Sequence, residues 1–392
     1  MGNSILVLNG SHSEIPLIKA AKRLGFLVYT AGNNPDLVGH AYGDGHFNVD
    51  YADAAAVVRL AKRLGVDCVL SGSNDLAMLT ASMVAENLGL PGHDSYSTAR
   101  LIHLKDNFKK IAASVEIPTP KGIVAGNWKE AVSALSYFDS EVIVKPTDSA
   151  GGKGVGLINS ADDCEVVFEA AFKHSRCKKI IVEQFFQGQL CSFSTFIRRG
   201  KVVAFFGDRE FSTVNRFTVS LSLGCADYHK NVDATLIGVA ERLSLFLNLV
   251  DGVLHFQYID SHSGPKVLEV TRRCSGDLYS EPVSLSLGCD WAEWIVLAAA
   301  GLFGDVKDTA SQNGFVGRFA FMANRNGKLN SFSVDESLRK YIKNEVFAFK
   351  PGYEIKNFLG EKLGVIVFEF PNRVLMEQVG QRVPELACVT LA

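Results

Sequence analysis

Val142-Ile143-Val144-Lys145-Pro146 is an apolar stretch that closes on a lysine, and Thr147-Asp148-Ser149-Ala150-Gly151-Gly152-Lys153-Gly154-Val155-Gly156 follows it directly. Four glycines in the last six of these residues let the main chain come close to an anion, with its N–H groups as donors. Lys145 and Lys153 add point charges. Close amide donors combined with ammonium groups suit a polyphosphate. The string is not a Walker A loop, because it lacks G-x-x-x-x-G-K-[ST]. A flexible hairpin with solvated lysines is the plainer alternative, and a lysine that ends a buried strand argues against it.

Further along, Ile180-Ile181-Val182-Glu183-Gln184-Phe185-Phe186-Gln187-Gly188 reads as a strand running into a hinge. A carboxylate, main-chain groups and two aromatics there could read a purine, polar edge to backbone and ring face to side chains. In Gly252–Asp260 and Lys266–Arg273, Gln257 and Glu269 each interrupt an apolar strand. If the two strands pair with both side chains on one face, they offer oxygen ligands to Mg²⁺. Arg273 adds a guanidinium fork for a carboxylate or phosphoryl oxygen. Arg209 and Arg216 are candidates for a carboxylate clamp, or equally surface arginines.

These residues need a frame. Residues 1–95 alternate short apolar strands (5–8, 27–30, 68–71) with helical patterns (14–25, 53–65, 74–88), the signature of a parallel sheet covered by helices. Two strand-end turns, Asn9–His12 and Ser71–Asp75, lie where open α/β sheets bind ligands, though Ser, Asn and Asp also serve as ordinary helix caps. The first turn is not G-x-G-x-x-G, which weakens a dinucleotide reading. A break at Leu90-Pro91-Gly92 precedes a helical stretch over 94–115. Strands at 142–145 and 180–183 flank a helix at 160–174. A hairpin over 190–207 turns at Arg199-Gly200, a long helix spans 231–248, and the paired strands 252–260 and 266–271 follow. Helices are expected at 278–286 and 290–301. The last part carries strands at 315–323, 345–349 and 364–369 and a final helix near 371–383.

Composition bounds the function. Of 392 residues, 47% are hydrophobic and 21% charged, enough to bury large cores, and the formal net charge of −2 gives no sign of a nucleic-acid or membrane surface. The opening Ser4-Ile5-Leu6-Val7-Leu8 reads as a strand, not a signal peptide. The eight cysteines form no C-x-x-C pair and have no histidine at zinc-finger spacing, so buried reduced thiols in the cytoplasm are expected.

Taken in order, these pieces resemble the ATP-grasp superfamily, in particular its biotin carboxylase and carbamoyl-phosphate synthase-like branch, which includes carboxylate-amine ligases. The resemblance covers nearly the whole chain. It implies an α/β and α+β fold: an N-terminal doubly wound parallel α/β domain (1–95), a two-lobed ATP-grasp core (96–310, small lobe 120–186, large lobe 187–310) and a small C-terminal α+β subdomain (311–392). By that resemblance Lys105 and Lys145 hold ATP phosphates, and Ser149, Gly151, Gly152, Lys153 and Gly154 belong to the loop over them. Glu183 reads the adenine amino group, with Gln184, Phe185 and Phe186 beside the base, and Gln189 or Leu190 falls near the ribose. Gln257, Glu269 and Thr271 stand at the metal positions, and Arg273 stabilises the acyl phosphate.

The sequence departs from the family pattern in three places. Gln257 is neutral where a carboxylate is usual, Thr271 replaces Asn, and Leu190 replaces a frequent Glu. Glu269 is then the main metal ligand, and Gln257→Glu is expected to preserve or tighten metal binding. The implied activity is ATP- and Mg²⁺-dependent ligation of a carboxylate to an amine or thiol through an acyl phosphate. Alternatives are phosphotransfer, carboxylation or a nucleotide-binding regulator without turnover. The implied partners are small molecules, with a homodimer frequent in the family.

Overall fold

The computed structural model describes residues 3–149, 151–160, 163–304 and 312–392. The N-terminal domain is a parallel sheet of β1 (Ser4–Leu8), β2 (Leu27–Ala31), β3 (Gly45–Phe47) and β4 (Cys68–Ser71), in the order β3-β2-β1-β4. Strand β1 is buried over its whole length because helices cover both faces of the sheet. On one side the residues of helix 15–23 pack with Ile5, Val7 and Leu70, and on the other the helices 54–64 and 75–88 pack with Leu6, Leu8 and Val69. That two-sided burial explains its run of five residues without apolar–polar alternation.

The small lobe is an antiparallel sheet of β5 (Gly122–Ala125), β6 (Val142–Pro146), β7 (Gly156–Ile158) and β8 (Ile180–Gln184), ordered β5-β8-β6-β7. The large lobe contributes β9 (Gln189–Arg198), β10 (Lys201–Phe211), β11 (Leu221–Gly224), β12 (Gly252–Ser261) and β13 (Gly264–Thr271). The C-terminal strands are β14 (Phe315–Phe321), β15 (Gly327–Val334), β16 (Ile342–Phe347), β17 (Glu354–Ile355), β18 (Gly364–Phe370) and β19 (Ala387–Leu391). One eight-stranded sheet runs β13-β12-β9-β10-β11-β14-β18-β16, while β17, β15 and β19 form a separate three-stranded sheet. The expected boundary at 310–311 lies outside the described residues, and β14, β16 and β18 beyond it continue the large-lobe sheet.

Other boundaries move for local reasons. The helical pattern over 94–115 is two helices, Tyr96–His103 and Lys105–Ser114, separated by extended Leu104 (φ −94°, ψ 121°). The break places the Lys105 N–H on the Thr147 carbonyl at 3.1 Å, joining the second helix to the chain after β6. The expected final helix is divided into short turns of helix, Arg373–Leu375, Met376–Gly380 and Val383–Leu386. Residues 161 and 162 of the expected helix 160–174, and Ala150 of the glycine loop, lie outside the described residues.

Among the described residues no disulfide joins the cysteines; Cys68, Cys191, Cys225 and Cys274 are buried, whereas Cys177 and Cys388 are exposed. Buried thiols are thus found at four positions, with Cys164 and Cys289 half-buried. Among the described residues no helix is long and apolar enough to cross a membrane.

Candidate active site

A cavity of about 1050 Å³ lies where the small lobe, the large sheet and the N-terminal domain converge. Strand β6 ends at its wall and delivers Lys145, which is 8% exposed. Ser149, Gly151, Gly152 and Lys153 line it from the following loop. Gly151, Gly152 and Gly154 have φ of 68°, 73° and 71°, the left-handed region where glycine carries no Cβ penalty. At Gly152 the close approach is also obligatory, since a Cβ there would lie 2.1 Å from the Phe217 carbonyl oxygen. Gly154 packs against His174 and does not line the cavity.

Lys105 reaches the cavity from the first turn of its helix. Its ammonium donates to the Ser149 carbonyl at 2.8 Å and stands 3.4 Å from Glu269 Oε2. Glu269 and Gln257 are direct cross-strand partners on β13 and β12, and both line the cavity, as the sequence pattern requires. The resemblance implies Mg²⁺ here. Glu269 with Gln257 fits a cation that keeps water and phosphate oxygens as its other ligands. No group of three or more His, Cys, Asp or Glu among the described residues could enclose an ion alone. Thr271, on the same strand, opens instead onto a smaller cavity of about 270 Å³ behind Lys105, and its hydroxyl is buried without a hydrogen-bond partner.

Glu183 is 2% exposed and set behind the cavity wall. Lys145 Nζ donates to its Oε2 at 2.7 Å, and Lys109 Nζ lies 2.5 Å from its Oε1. Burial pushes the carboxyl up, but the ammonium groups of Lys145 and Lys109 outweigh it and hold Glu183 below the usual range. Lys109 was not marked by the sequence pattern, where a lysine one turn after Lys105 reads as a solvated helix face. It also donates to Thr119 Oγ1 at 2.6 Å and to the Pro120 carbonyl at 2.8 Å. Phe185 and Phe186 line the cavity; Gln184 does not, and its N–H is taken by the Lys121 carbonyl.

Two expected contacts are corrected. Gln189 directs its amide to the carbonyls of Leu190 and Glu210, at 2.8 and 2.9 Å, so Leu190 is the one that reaches the cavity. Arg209 stacks over the Tyr228 ring at 3.9 Å, on the opposite face of β10 from the cavity-lining Glu210. Strand β10 extends to Phe211, so residue parity decides the face. Arg216 does line the cavity, its guanidinium 5.7 Å from the Phe185 ring centroid.

Arg273 lines the far end and forms a fork with Asp75 of the N-terminal domain, Nε to Oδ1 at 2.8 Å and Nη2 to Oδ2 at 2.9 Å. Beside it lies a buried charged group that the sequence pattern did not single out. Asp277 faces Lys362, Arg318 Nη1 at 3.4 Å and His12 Nε2 at 3.3 Å. Burial raises its pKa, yet Lys362 first, then His12 and Arg318, hold the carboxyl well below its ordinary value. Glu210 is 3.7 Å from Arg318 and accepts the Gln257 amide at 2.7 Å. Burial, then the charge of Asp208, push Glu210 up to about 7.

The N-terminal loops are partly structural. Buried Glu14 accepts from Asn9 Nδ2, from the N–H and hydroxyl of Ser11 and from the N–H of Ser73, which ties both strand-end loops together. Asn74 caps helix 75–88. Ser13, Ser73, Asn74 and Asp75 line the cavity.

Residues 104–215 match the family model of the phosphoribosylglycinamide synthetase ATP-grasp (A) domain. Whole-chain comparison gives the same fold. The chain is similar to the L-amino acid ligase of Bacillus licheniformis, at 16% identity and a TM-score of 0.83 over 100% of this chain and 99% of that one. It is also similar to the biotin carboxylase domain of the Hydrogenobacter thermophilus 2-oxoglutarate carboxylase, solved as a dimer with MgADP and bicarbonate, at 16% identity, a TM-score of 0.81 and coverage of 100% and 91%. The phosphoribosylglycinamide synthetase of Anaerococcus prevotii aligns over 100% of both chains, at 16% identity and a TM-score of 0.77. The protein has the ATP-grasp fold.

Proposed function

We propose that the protein is an ATP-dependent ligase that activates a carboxylate as an acyl phosphate and joins it to an amine. The observation that carries this reading is that Lys105, Lys145, the glycine loop, Gln257, Glu269 and Arg273 all line one cavity. The adenine lies beside Phe185 and Phe186. The phosphates lie under the loop between Lys105 and Lys145. A substrate carboxylate oxygen attacks the γ-phosphorus and ADP leaves. Lysines and loop amides stabilise the charge on the transferring group. The amine then attacks the acyl carbon, phosphate leaves with the C–O electron pair, and the amine loses a proton. Glu269 and Gln257 would hold the Mg²⁺ that ATP-grasp chemistry uses, and when bound it would neutralise charge on the phosphates.

The non-nucleotide substrates occupy the end bounded by Ser13, Ser73, Arg273 and Arg318, where the N-terminal domain closes the cavity. Closure of the glycine loop keeps water from the acyl phosphate. The same reading makes the protein a cytoplasmic homodimer, supported by cysteines that form no disulfide among the described residues and by the dimeric carboxylase domain among similar structures.

The test is ADP release by the full chain over a panel of carboxylate and amine pairs. The expected result is ADP and an amide in equal amounts, requiring both substrates and lost in Lys145→Ala. A phosphorylated product without amide, or ADP release that depends on bicarbonate, overturns it.

A further inference from the structure

Gln257 is an amide at a position where metal chemistry calls for an oxygen, and an amide can present either of its ends. A side-chain amide that rotates freely offers a cation its oxygen only part of the time, and its N–H₂ end repels the cation. What faces Gln257 therefore decides what it does.

Strand β12 places Gln257 opposite Glu269 on one side and opposite Ser192 of β9 on the other. Beyond β9, β10 carries Glu210. Gln257, Leu190, Glu210 and Glu269 all line the cavity, so they share one face of the sheet. The Gln257 amide reaches across β9 and donates from Nε2 to Glu210 Oε2 at 2.7 Å. Glu210 is only 4% exposed and its other oxygen lies toward Arg318 Nη2, at 3.7 Å. An ionised Glu210 accepts hydrogen bonds and does not donate them, so it holds the nitrogen end of the amide, the end that the observed contact presents to it.

We propose that Glu210 is a positioning residue that locks the Gln257 amide with its nitrogen toward β10, leaving the oxygen as a fixed ligand for the divalent cation shared with Glu269. This rests on the ATP-and-Mg²⁺ reading of the cavity. It is an outer-shell arrangement of the kind that orients ligands in metal sites, where loss of the orienting group costs about 10- to 100-fold in metal affinity. It also reverses the expectation for Gln257→Glu. In this chain the new carboxylate would face Glu210 across a hydrogen-bond distance, and two carboxylates so close resist ionising together.

The experiment measures Mn²⁺ binding to the full chain with saturating ADP, by electron paramagnetic resonance at pH 8. ADP binding without metal is measured in parallel. Four proteins are compared: wild type, Glu210→Gln, Gln257→Glu and the double exchange Glu210→Gln/Gln257→Glu. Glu210→Gln is expected to weaken Mn²⁺ about 10-fold or more with unchanged metal-free ADP affinity. Gln257→Glu alone is expected to bind Mn²⁺ no tighter than wild type. The double exchange restores an amide–carboxylate pair with its ends reversed, and is expected to bind Mn²⁺ about 10-fold tighter than Gln257→Glu.

Unchanged Mn²⁺ affinity in Glu210→Gln overturns the proposal. So does a Gln257→Glu single variant that matches the double exchange. If Glu210→Gln does not fold, the double exchange decides, because it keeps the hydrogen bond. Wild type that binds ADP but no Mn²⁺ overturns the proposal while leaving the nucleotide site in place. Wild type that binds no ADP overturns the reading on which it rests.

Discussion

Glu183 shows how a single residue's environment sets its role. Two ammonium groups hold its buried carboxylate, Lys145 from β6 and Lys109 from the helix before the small lobe. Removing one partner of a buried ion pair leaves an uncompensated charge, at a cost of about 3–5 kcal/mol. Lys109→Met is accordingly expected to lower stability by about 3 kcal/mol in urea unfolding, and to reduce ATP affinity by loosening Glu183 beside Lys145. Wild-type stability in that variant means the Lys109–Glu183 pair does not form. Asp233 is the opposite case. It opens helix 233–247 with a buried, unpartnered Oδ1, and burial raises its pKa to about 6. A carboxyl whose folded pKa lies above its unfolded value costs stability as pH rises between the two. Asp233→Asn should therefore stabilise the protein above pH 6 by about 1–2 kcal/mol, allowing for partial exposure, and change little below pH 4. Equal melting shifts at pH 4 and pH 8 contradict this. Lys145 was legible in the sequence because a lysine that ends an apolar strand is anomalous. Lys109 was not, because a lysine on an amphipathic helix is ordinary until its carboxylate partner, 74 residues away, is brought to it.

At the scale of elements, the glycine loop and the strand parity of β10 decide what enters the cavity. Both Gly151 and Gly152 adopt positive φ, but nothing lies within 4 Å of a Cβ on Gly151, whereas one on Gly152 meets the Phe217 carbonyl oxygen. Main chain cannot yield as a side-chain tip does. Gly152→Ala is expected to detach the loop from Phe217 and lower kcat/KM for ATP at least about 10-fold more than Gly151→Ala, whose penalty is backbone strain of roughly 1–2 kcal/mol. Equal kinetics in the two variants mean that the loop does not lean on residue 217 during turnover. The sequence located this loop because glycine clusters are strong punctuation. It misplaces Arg209 because its apolar pattern ends the hairpin at 207, four residues before β10 ends. In a continuous strand Asp208 and Glu210 take one face and Arg209 the other. Strands such as β11 and β19 were missed because four or five residues carry little periodicity, and the sheet register that stabilises them is set by distant partners.

At the scale of the whole molecule, the cavity is closed by charge pairs between segments far apart in sequence. Arg273 reaches Asp75, and Asp277 collects His12 from the N-terminal domain, Arg318 from β14 and Lys362 from the loop before β18. Asp277 and Leu278 both have positive φ, 57° and 58°, a conformation that costs energy for non-glycine residues and persists only where its surroundings impose it. The ion pairs with Lys362 and Arg318 and the contact with His12 surround Asp277 there. Because its folded pKa is held below the unfolded value, the carboxylate stabilises the fold at any pH above about 4, and that contribution fades as pH falls through the unfolded and then the folded pKa. Asp277→Asn leaves Lys362 and Arg318 facing a neutral amide, so it is expected to destabilise by about 3 kcal/mol at pH 7. The gap from wild type should narrow steadily below pH 4, as the wild-type carboxyl takes up its proton in the unfolded chain. Urea unfolding from pH 7 to pH 3 measures both. A gap that stays constant across that range would mean that the loss comes from packing, and that the three segments are not joined through the Asp277 charge.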